Sequence, residues 1–389
     1  MFHTSILDTD LYKLTQQNAV LKLYPDMKVS YIFINRDKRA FPDGFQKELR
    51  KILLGYQGLR LTKDEKDFLR EKCYYLSPAY IDFLSGYQYD PTEVSIIQYG
   101  PDLHITIEGY WYRTILWEVP LMQTISELFF KMTGEKIYDD DKQHEVNKNK
   151  GELLKANDIY FSEFGSRRRY SYLVQRTVIN DLKCSAGANL IGTSNIHMAH
   201  IYNLTPMGTV AHEWFQAHAA LYGYRMANER AMNAWIQTYK GDLGISLSDT
   251  FTTGVFLKTF DKFYARLFDG VRQDSGDPID WVDKIVEKYK SLRIDPASKA
   301  ALFSDGLSGI DQIVEIKNES DKGGIKPRFG IGTWFTNDVG VKPLNIVIKL
   351  SNCKVGDEWI PTVKLSDVAT KHTGEANAIK LCKTTLGLE

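Results

Sequence analysis

Cysteine is scarce: four residues in 389, at Cys73, Cys184, Cys353 and Cys382, with no C-x-x-C pair among them. That spacing argues against a zinc set, and a chain this long does not depend on a disulfide framework. Reduced thiols in a cytoplasmic protein are the expectation. An excess of one charge is missing too. Lys plus Arg and Asp plus Glu are each 49, so the formal net charge is zero. Zero balance argues against nucleic acid and anionic membrane as partners, because both select a basic excess. It leaves room for a local basic pocket that binds a small anion. No apolar run approaches a membrane span, and MFHTSILDTDLYK lacks the basic-then-apolar pattern of a leader. Walker A, a strand-linked G-x-G-x-x-G and H-E-x-x-H are also absent, which removes the common nucleotide folds and the zincin site. There is no internal repeat.

What is present reads as an ordinary globular chain, 43% apolar and 25% charged. Its length suits two or three domains, or one α/β barrel with an attached domain. The first 120 residues mix helix and strand. Asp8 or Thr9 is placed to cap a helix carrying Leu11, Leu14 and Leu21, and Val29–Ile34 reads as a buried strand. Phe45, Leu49, Leu53 and Tyr56 recur at helical spacing behind Asp43, with Gln46 at the capping-box position; Thr62 and Glu65 repeat that signal. Ser77–Pro78 opens another helix. Two strand patterns, Glu93–Gln98 and Leu103–Tyr110, flank the turn Tyr99-Gly100-Pro101-Asp102 and predict a hairpin. A helix over about 119–132 should stop at Gly134, and Asp139–Gly151 reads as a solvated loop or exposed helix.

From about Asp158 short apolar strands alternate with amphipathic helices. Seven units are expected, at Ile159–Phe164, Asn189–Thr193, Thr205–Thr209, Gly244–Leu247, Gly270–Gln273, Ala301–Ser304 and Arg328–Ile331. Such alternation predicts a parallel sheet, and seven units predict an irregular, TIM-like α/β barrel. After Val341 the β pattern returns. The expected organisation is an N-terminal α/β domain over 1–135, completed by strands from about 341–389, and a barrel over 136–340.

Barrels carry their chemistry at the carboxyl ends of the strands. Those ends read Glu163 with Gly165-Ser166-Arg167, Gly192-Thr193-Ser194-Asn195, Gly208-Thr209 with His212, Ser248-Asp249, Arg272 through Asp277, Ser304-Asp305-Gly306 and Gly330-Ile331-Gly332-Thr333. Recurrent Gly beside Ser, Thr, Asp or Arg suits a phosphate-rich ligand, since glycine admits close backbone approach and helix-start N–H groups bind anions. In the run Arg167-Arg168-Arg169 at least one side chain is a candidate to face the site and fork onto phosphate or carboxylate; a solvated surface patch is the alternative. Arg272 precedes an acidic turn suited to Mg²⁺ or a ribose hydroxyl. His212 begins a helix at a strand end, where a phosphate attached to its ring would meet helix N–H groups. His197 and His200 read as ordinary helix residues.

DTDLYKLTQQ (Asp8–Gln17), EFGSRRR (Glu163–Arg169), IGTSN (Ile191–Asn195), GTVAHEW (Gly208–Trp214), RQDSGDP (Arg272–Pro278), SDGL (Ser304–Leu307) and FGIGT (Phe329–Thr333) together resemble the nicotinate phosphoribosyltransferase family, in order along most of the chain. The resemblance implies conversion of nicotinate and 5-phosphoribosyl 1-pyrophosphate (PRPP) to nicotinate mononucleotide and pyrophosphate, coupled to ATP hydrolysis, within NAD biosynthesis. It implies that ATP phosphorylates His212, that Arg272 and Thr209 hold the nicotinate carboxylate, and that Arg167 and Asp249 line the site. Asp274 would face ribose or Mg²⁺; Asp305, Gly306, Gly332 and Thr333 would hold the substrate's phosphate end. It also implies a homodimer in which Tyr12 reaches the partner's site. Ser194 stands where the related nicotinamide enzymes carry Asp. An aspartate about 4 Å from nicotinate's carboxylate would repel it by roughly 4 kcal/mol at an effective dielectric of 20, so Ser194 favours the acid. The alternatives are nicotinamide as substrate, or a barrel that binds phosphoribosyl compounds without turnover.

Overall fold

A computed structural model describes residues 4–388. Strands β1 (Lys28–Asn35), β2 (Val94–Tyr99) and β3 (Asp102–Tyr110) come first. Strands β4 (Phe161–Glu163), β5 (Leu190–Thr193), β6 (Ile245–Leu247), β7 (Gly270–Gln273), β8 (Ala300–Phe303) and β9 (Lys326–Ile331) follow with helices between them. Strands β10 (Ile346–Val355) and β11 (Glu358–Pro361) come last. One sheet has the order β11-β10-β1-β3-β2, so the C-terminal strands complete the N-terminal sheet. The other has the order β5-β4-β9-β8-β7-β6, with parallel pairing in β4–β5 and from β6 through β9. This is the irregular α/β barrel that the alternating pattern predicts.

Among the described residues, six strands form this sheet where seven were expected. The segment around 205–209 makes a single parallel bridge, Thr193 to Pro206, with Thr193 N–H donating to the Thr205 carbonyl at 3.2 Å and Met207 N–H to that of Thr193 at 2.8 Å. Pro206 has no N–H to extend the ladder. Gly192 permits the approach: a Cβ there would stand 2.2 Å from the Thr205 carbonyl oxygen.

By contacts the chain divides into two compact units. The first is built on Ser30–Gly208, with the residues up to Leu21 and Ile331–Lys349; the second on Thr209–Gly330, with Lys22–Val29 and the residues from Leu350 onward. Within the first unit β2 and β3 pair antiparallel around Tyr99 and Asp102, as the turn predicts. The helix Glu118–Thr133 ends at Gly134, which takes φ 70 and closes the helix in the left-handed region. Thr62 and Glu65 form the predicted capping box, and Ser77 caps the helix that Pro78 opens. Asp139–Gly151 is resolved as helix, Asp140–Ala156, with Asp139 capping it.

Two sequence expectations are corrected. The helix Phe45–Gly55 is capped by Gly44 without a side-chain bond; Gln46 instead exchanges backbone–amide bonds with Gln98 on β2, each 3.0 Å. The first helix starts at Leu11, so the residue before it is Asp10 and not Asp8 or Thr9; Asp8 pairs with Arg169. No helix among the described residues is long and apolar enough to cross a membrane.

Candidate active site

In the second unit the working residues collect at the ends of β6, β7 and β8. His212 is the first residue of the helix His212–Tyr222, as its spacing from Gly208 suggests. Its Nε2 lies 2.9 Å from Asp274 Oδ2 and its Nδ1 lies 3.0 Å from Thr250 Oγ1. Asp249 Oδ1 is 3.7 Å from the same Nε2. Burial, helped by the Lys364 ammonium, pulls the His212 ring down to about 4 against the pull of both carboxylates, so the imidazole is neutral at pH 7. Burial pushes the Asp274 carboxyl upward, but Arg272 and the bond from His212 outweigh it and hold the group well below the usual range. An ionised carboxylate only accepts, so Nε2 carries the ring proton and Nδ1 holds the lone pair that the Thr250 hydroxyl caps.

Arg272 is fixed by three acceptors. Its Nε reaches Ser304 Oγ at 2.7 Å, one terminal nitrogen reaches Thr209 Oγ1 at 2.9 Å, and the other reaches Asp274 Oδ1 at 2.8 Å. Two N–H groups of its five remain for a ligand. Lys364, nearly buried, stands 3.8 Å from Asp249 Oδ2. Asp305 pairs with Lys371, and Gly306 takes φ 62 with open space where a side chain would go.

The first unit holds a different cluster. Residues 7–11 run beside the end of β5, with Leu11 N–H donating to the Ser194 carbonyl at 2.8 Å and Ile196 N–H to that of Thr9 at 3.0 Å. Asp8 and Arg169, both wholly buried, form a two-point ion pair at 2.8 and 2.9 Å. Arg169 also donates to Gln175 at 3.0 Å; Gln175 donates to Glu163, which accepts from Thr193 at 2.6 Å and from the Gly165 N–H. Burial pushes the Glu163 carboxyl up to about 7 despite these donors. The Ser194 hydroxyl donates to Asp10 Oδ1 at 2.8 Å, and burial raises the Asp10 carboxyl, with Ser166 and Arg167 opposing. Tyr12, half-buried, donates weakly to Glu118 at 3.4 Å, and Glu118 pairs with Lys13 and, at 3.5 Å, with Arg167. Gly332 opens the short helix Thr333–Thr336, and a Cβ on it would press the Phe164 carbonyl at 3.3 Å.

Of the expected residues, His212, Asp274, Arg272, Thr209 and Asp249 thus form one connected cluster, with Asp305 and Gly306 at a neighbouring strand end in the same unit. Tyr12, Arg167, Ser194, Gly332 and Thr333 belong to the first unit. The arginine run splits: Arg169 is structural and buried, whereas Arg167 keeps a side chain 37% exposed. Sequence reasoning missed four participants. Thr250 follows Asp249 directly and was readable as its neighbour; Asp10 lies inside the quoted DTDLYK motif. Ser275 lies inside RQDSGDP. Lys364 is brought in by the C-terminal segment, and no local pattern announces it.

A neutral histidine held between hydroxyl and carboxylate, with an arginine fork beside it at parallel strand ends, makes this an enzyme site of the α/β-barrel class that handles anions. The nicotinate phosphoribosyltransferase (NAPRTase) family profile matches residues 159–389, and the profile of that family's N-terminal domain matches residues 7–126. Nicotinate phosphoribosyltransferase of Desulforapulum autotrophicum is 49% identical over 97% of this chain and 97% of its own. That of Chromohalobacter salexigens is 46% identical over 99% and 98%. The crystal structure of nicotinate phosphoribosyltransferase from Porphyromonas gingivalis superposes with a TM-score of 0.96 at 47% identity, covering 99% of this chain and 100% of that one. The chain belongs to the nicotinate phosphoribosyltransferase family.

Proposed function

We propose that the protein joins nicotinate to PRPP, giving nicotinate mononucleotide and pyrophosphate, and couples this to ATP hydrolysis through a phosphate carried on His212. Family membership over nearly the whole chain supports the transferase. The observation that carries the coupling is the His212 geometry: a ring neutral at pH 7, its proton held on Nε2 by Asp274, its lone pair on Nδ1. Nδ1 attacks the γ-phosphorus of ATP once the Thr250 hydroxyl turns aside; the bond to the ADP oxygen breaks, and ADP leaves with that electron pair. Positive charge then grows on the ring, and Asp274 stabilises it by accepting from Nε2–H. Water later attacks the phosphorus and restores the imidazole.

In the transfer itself the pyridine nitrogen displaces pyrophosphate from the anomeric carbon, so the protein positions reactants and neutralises charge. Arg272, steadied by Thr209 and Ser304, offers its two remaining N–H groups to the nicotinate carboxylate, and Gly306 and the Gly332–Thr333 turn suit phosphate oxygens. Ser194 brings no charge of its own. Mg²⁺ fits the donor set: Asp249 Oδ1 is buried without a hydrogen-bond partner among the described residues, and it and Asp274 offer hard oxygens. Asp249 and Asp274 would hold the ion, which when bound neutralises phosphate oxygens. The reading includes a homodimer with Tyr12 completing the partner's site, and a reducing, cytoplasmic setting in keeping with four free thiols.

The test is product formation from nicotinate and from nicotinamide, with ATP omitted and restored. Preference for nicotinamide overturns the substrate assignment; ligand binding without turnover overturns the enzyme. Mixing Tyr12→Ala with His212→Ala chains tests the shared site, because hybrid dimers should regain ATP-stimulated turnover.

A further inference from the structure

The cluster around His212 is tied to residues 365–367, which follow Lys364 after β11 and have no part in the reaction as described. Leu365 N–H donates to the Thr250 carbonyl at 2.8 Å. Asp367 holds two points at once. Its backbone N–H donates to Ser275 Oγ at 2.9 Å, and its carboxylate accepts from the Thr253 N–H at 2.7 Å and the Thr253 hydroxyl at 2.6 Å. Ser275 in turn donates to Asp249 Oδ2 at 2.5 Å. The hydroxyl has no freedom here, because the amide can only donate to it and the carboxylate can only accept from it. One Asp249 oxygen is therefore consumed, and the other is left unpartnered, 3.7 Å from His212 Nε2.

The loop between Asp249 and Thr253 is under tension. Thr252 takes φ 76, a region that a β-branched residue rarely adopts. Such a conformation persists only where its surroundings hold it, and Asp367 grips the next residue. Gly276 makes room for the grip: a Cβ there would meet Asp367 Cβ at 3.0 Å.

We propose that Asp367, acting through Ser275 and Thr253, is a positioning residue that holds Asp249 and Thr250 in register with His212 for its phosphorylation. The proposal rests on the phosphohistidine reading above. With the Asp367 side chain removed, its backbone bond to Ser275 stays but the grip on Thr253 is lost, so the Thr252 strain relaxes and the Asp249–Thr250 turn shifts against the imidazole.

The experiment uses full-length protein carrying Asp367→Ala, Asp367→Asn, or Asp367→Ala combined with Thr252→Gly. Hydrogen–deuterium exchange across residues 249–256 is measured without ligand, and labelling by γ-³²P ATP is measured in single turnover. Asp367→Ala should speed exchange at these amides and slow labelling about tenfold or more, with half-saturating ATP changed by less than about threefold, since displaced groups cost rate rather than affinity. Asp367→Asn keeps one carbonyl acceptor and should fall between; it carries the same prediction if the alanine variant does not fold. Thr252→Gly removes the strain at φ 76, so the double variant should label faster than Asp367→Ala alone. Unchanged exchange, labelling within about twofold of the parent, or a loss expressed only as weaker ATP binding overturns the proposal. If the parent protein takes no label, the phosphohistidine reading falls, and the exchange result alone upholds or overturns the clamp.

Discussion

The two units bury charged clusters of similar size and use them differently. In the first, Asp8, Arg169, Gln175 and Glu163 pass hydrogen bonds from one to the next. Both Asp8 oxygens meet Arg169, and both Glu163 oxygens meet donors. In the second, Asp274 is equally engaged, but Asp249 Oδ1 has no hydrogen-bond partner, and the lone pair of His212 is held only by a hydroxyl that can rotate. A carboxylate with both oxygens engaged specifies structure; one left with an unpartnered oxygen has something to offer a ligand.

Breaking the first cluster should show in stability. Asp8→Ala strands the Arg169 guanidinium in a wholly buried site and should cost about 3–5 kcal/mol, whereas replacing both partners by apolar residues of similar volume should cost far less. Urea denaturation of the single and double variants measures the difference. Breaking the second should show in chemistry while the fold holds. His212→Ala should abolish acid-labile phosphate labelling by ATP and leave slow, ATP-independent turnover; labelling that survives would move the nucleophile elsewhere.

A smaller effect is expected from Arg272→Lys, which keeps the charge and loses the fork. The KM for nicotinate should rise about tenfold to a hundredfold, matching about 1.5–3 kcal/mol for a charged hydrogen bond. A change in PRPP affinity instead would place the carboxylate elsewhere.

The clusters also differ in pH response. His212 and His218 are each held near 4 by burial, against an ordinary value of 6.5. Their folded forms refuse a proton that the unfolded chain takes, so their contribution is whole above about pH 6.5 and declines as pH falls toward 4, by up to about 3 kcal/mol each. Glu163 has the opposite sign. Its carboxyl sits near 7 instead of 4.5, so stability drains as pH rises through that interval. Denaturation at stepped pH should show Glu163→Gln gaining stability relative to the parent as pH rises from about 4.5 to 7, with the histidine contribution between about 4 and 6.5 retained. Loss of the acid limb in that variant would contradict the assignment.

Much of this was readable beforehand. The hairpin, the capping box at Thr62 and the strand ends that carry His212, Arg272 and Asp274 follow from local rules, because turns, caps and periodic burial involve residues close in sequence. The third barrel strand failed as an expectation because apolar spacing around 205–209 says nothing about whether Pro206 can extend a ladder. Gln46 looked like a cap, yet its partner Gln98 lies 52 positions away.

By itself the sequence determined the alternation of strand and helix, the glycines at strand ends and the choice of chemical groups, His, Asp, Arg and Ser in place of a metal-binding cysteine set. Tertiary structure decided what those groups became. Asp8 and Asp10 share one short motif, but one is locked to an arginine 161 positions on and the other receives the Ser194 hydroxyl. Lys364 stands 3.8 Å from Asp249 Oδ2, and Asp367 meets the Ser275 hydroxyl that donates to that same oxygen, though both lie more than 100 positions further on. Those outcomes depend on burial and on distances between residues far apart in sequence, and folding alone brings such residues within reach of one another.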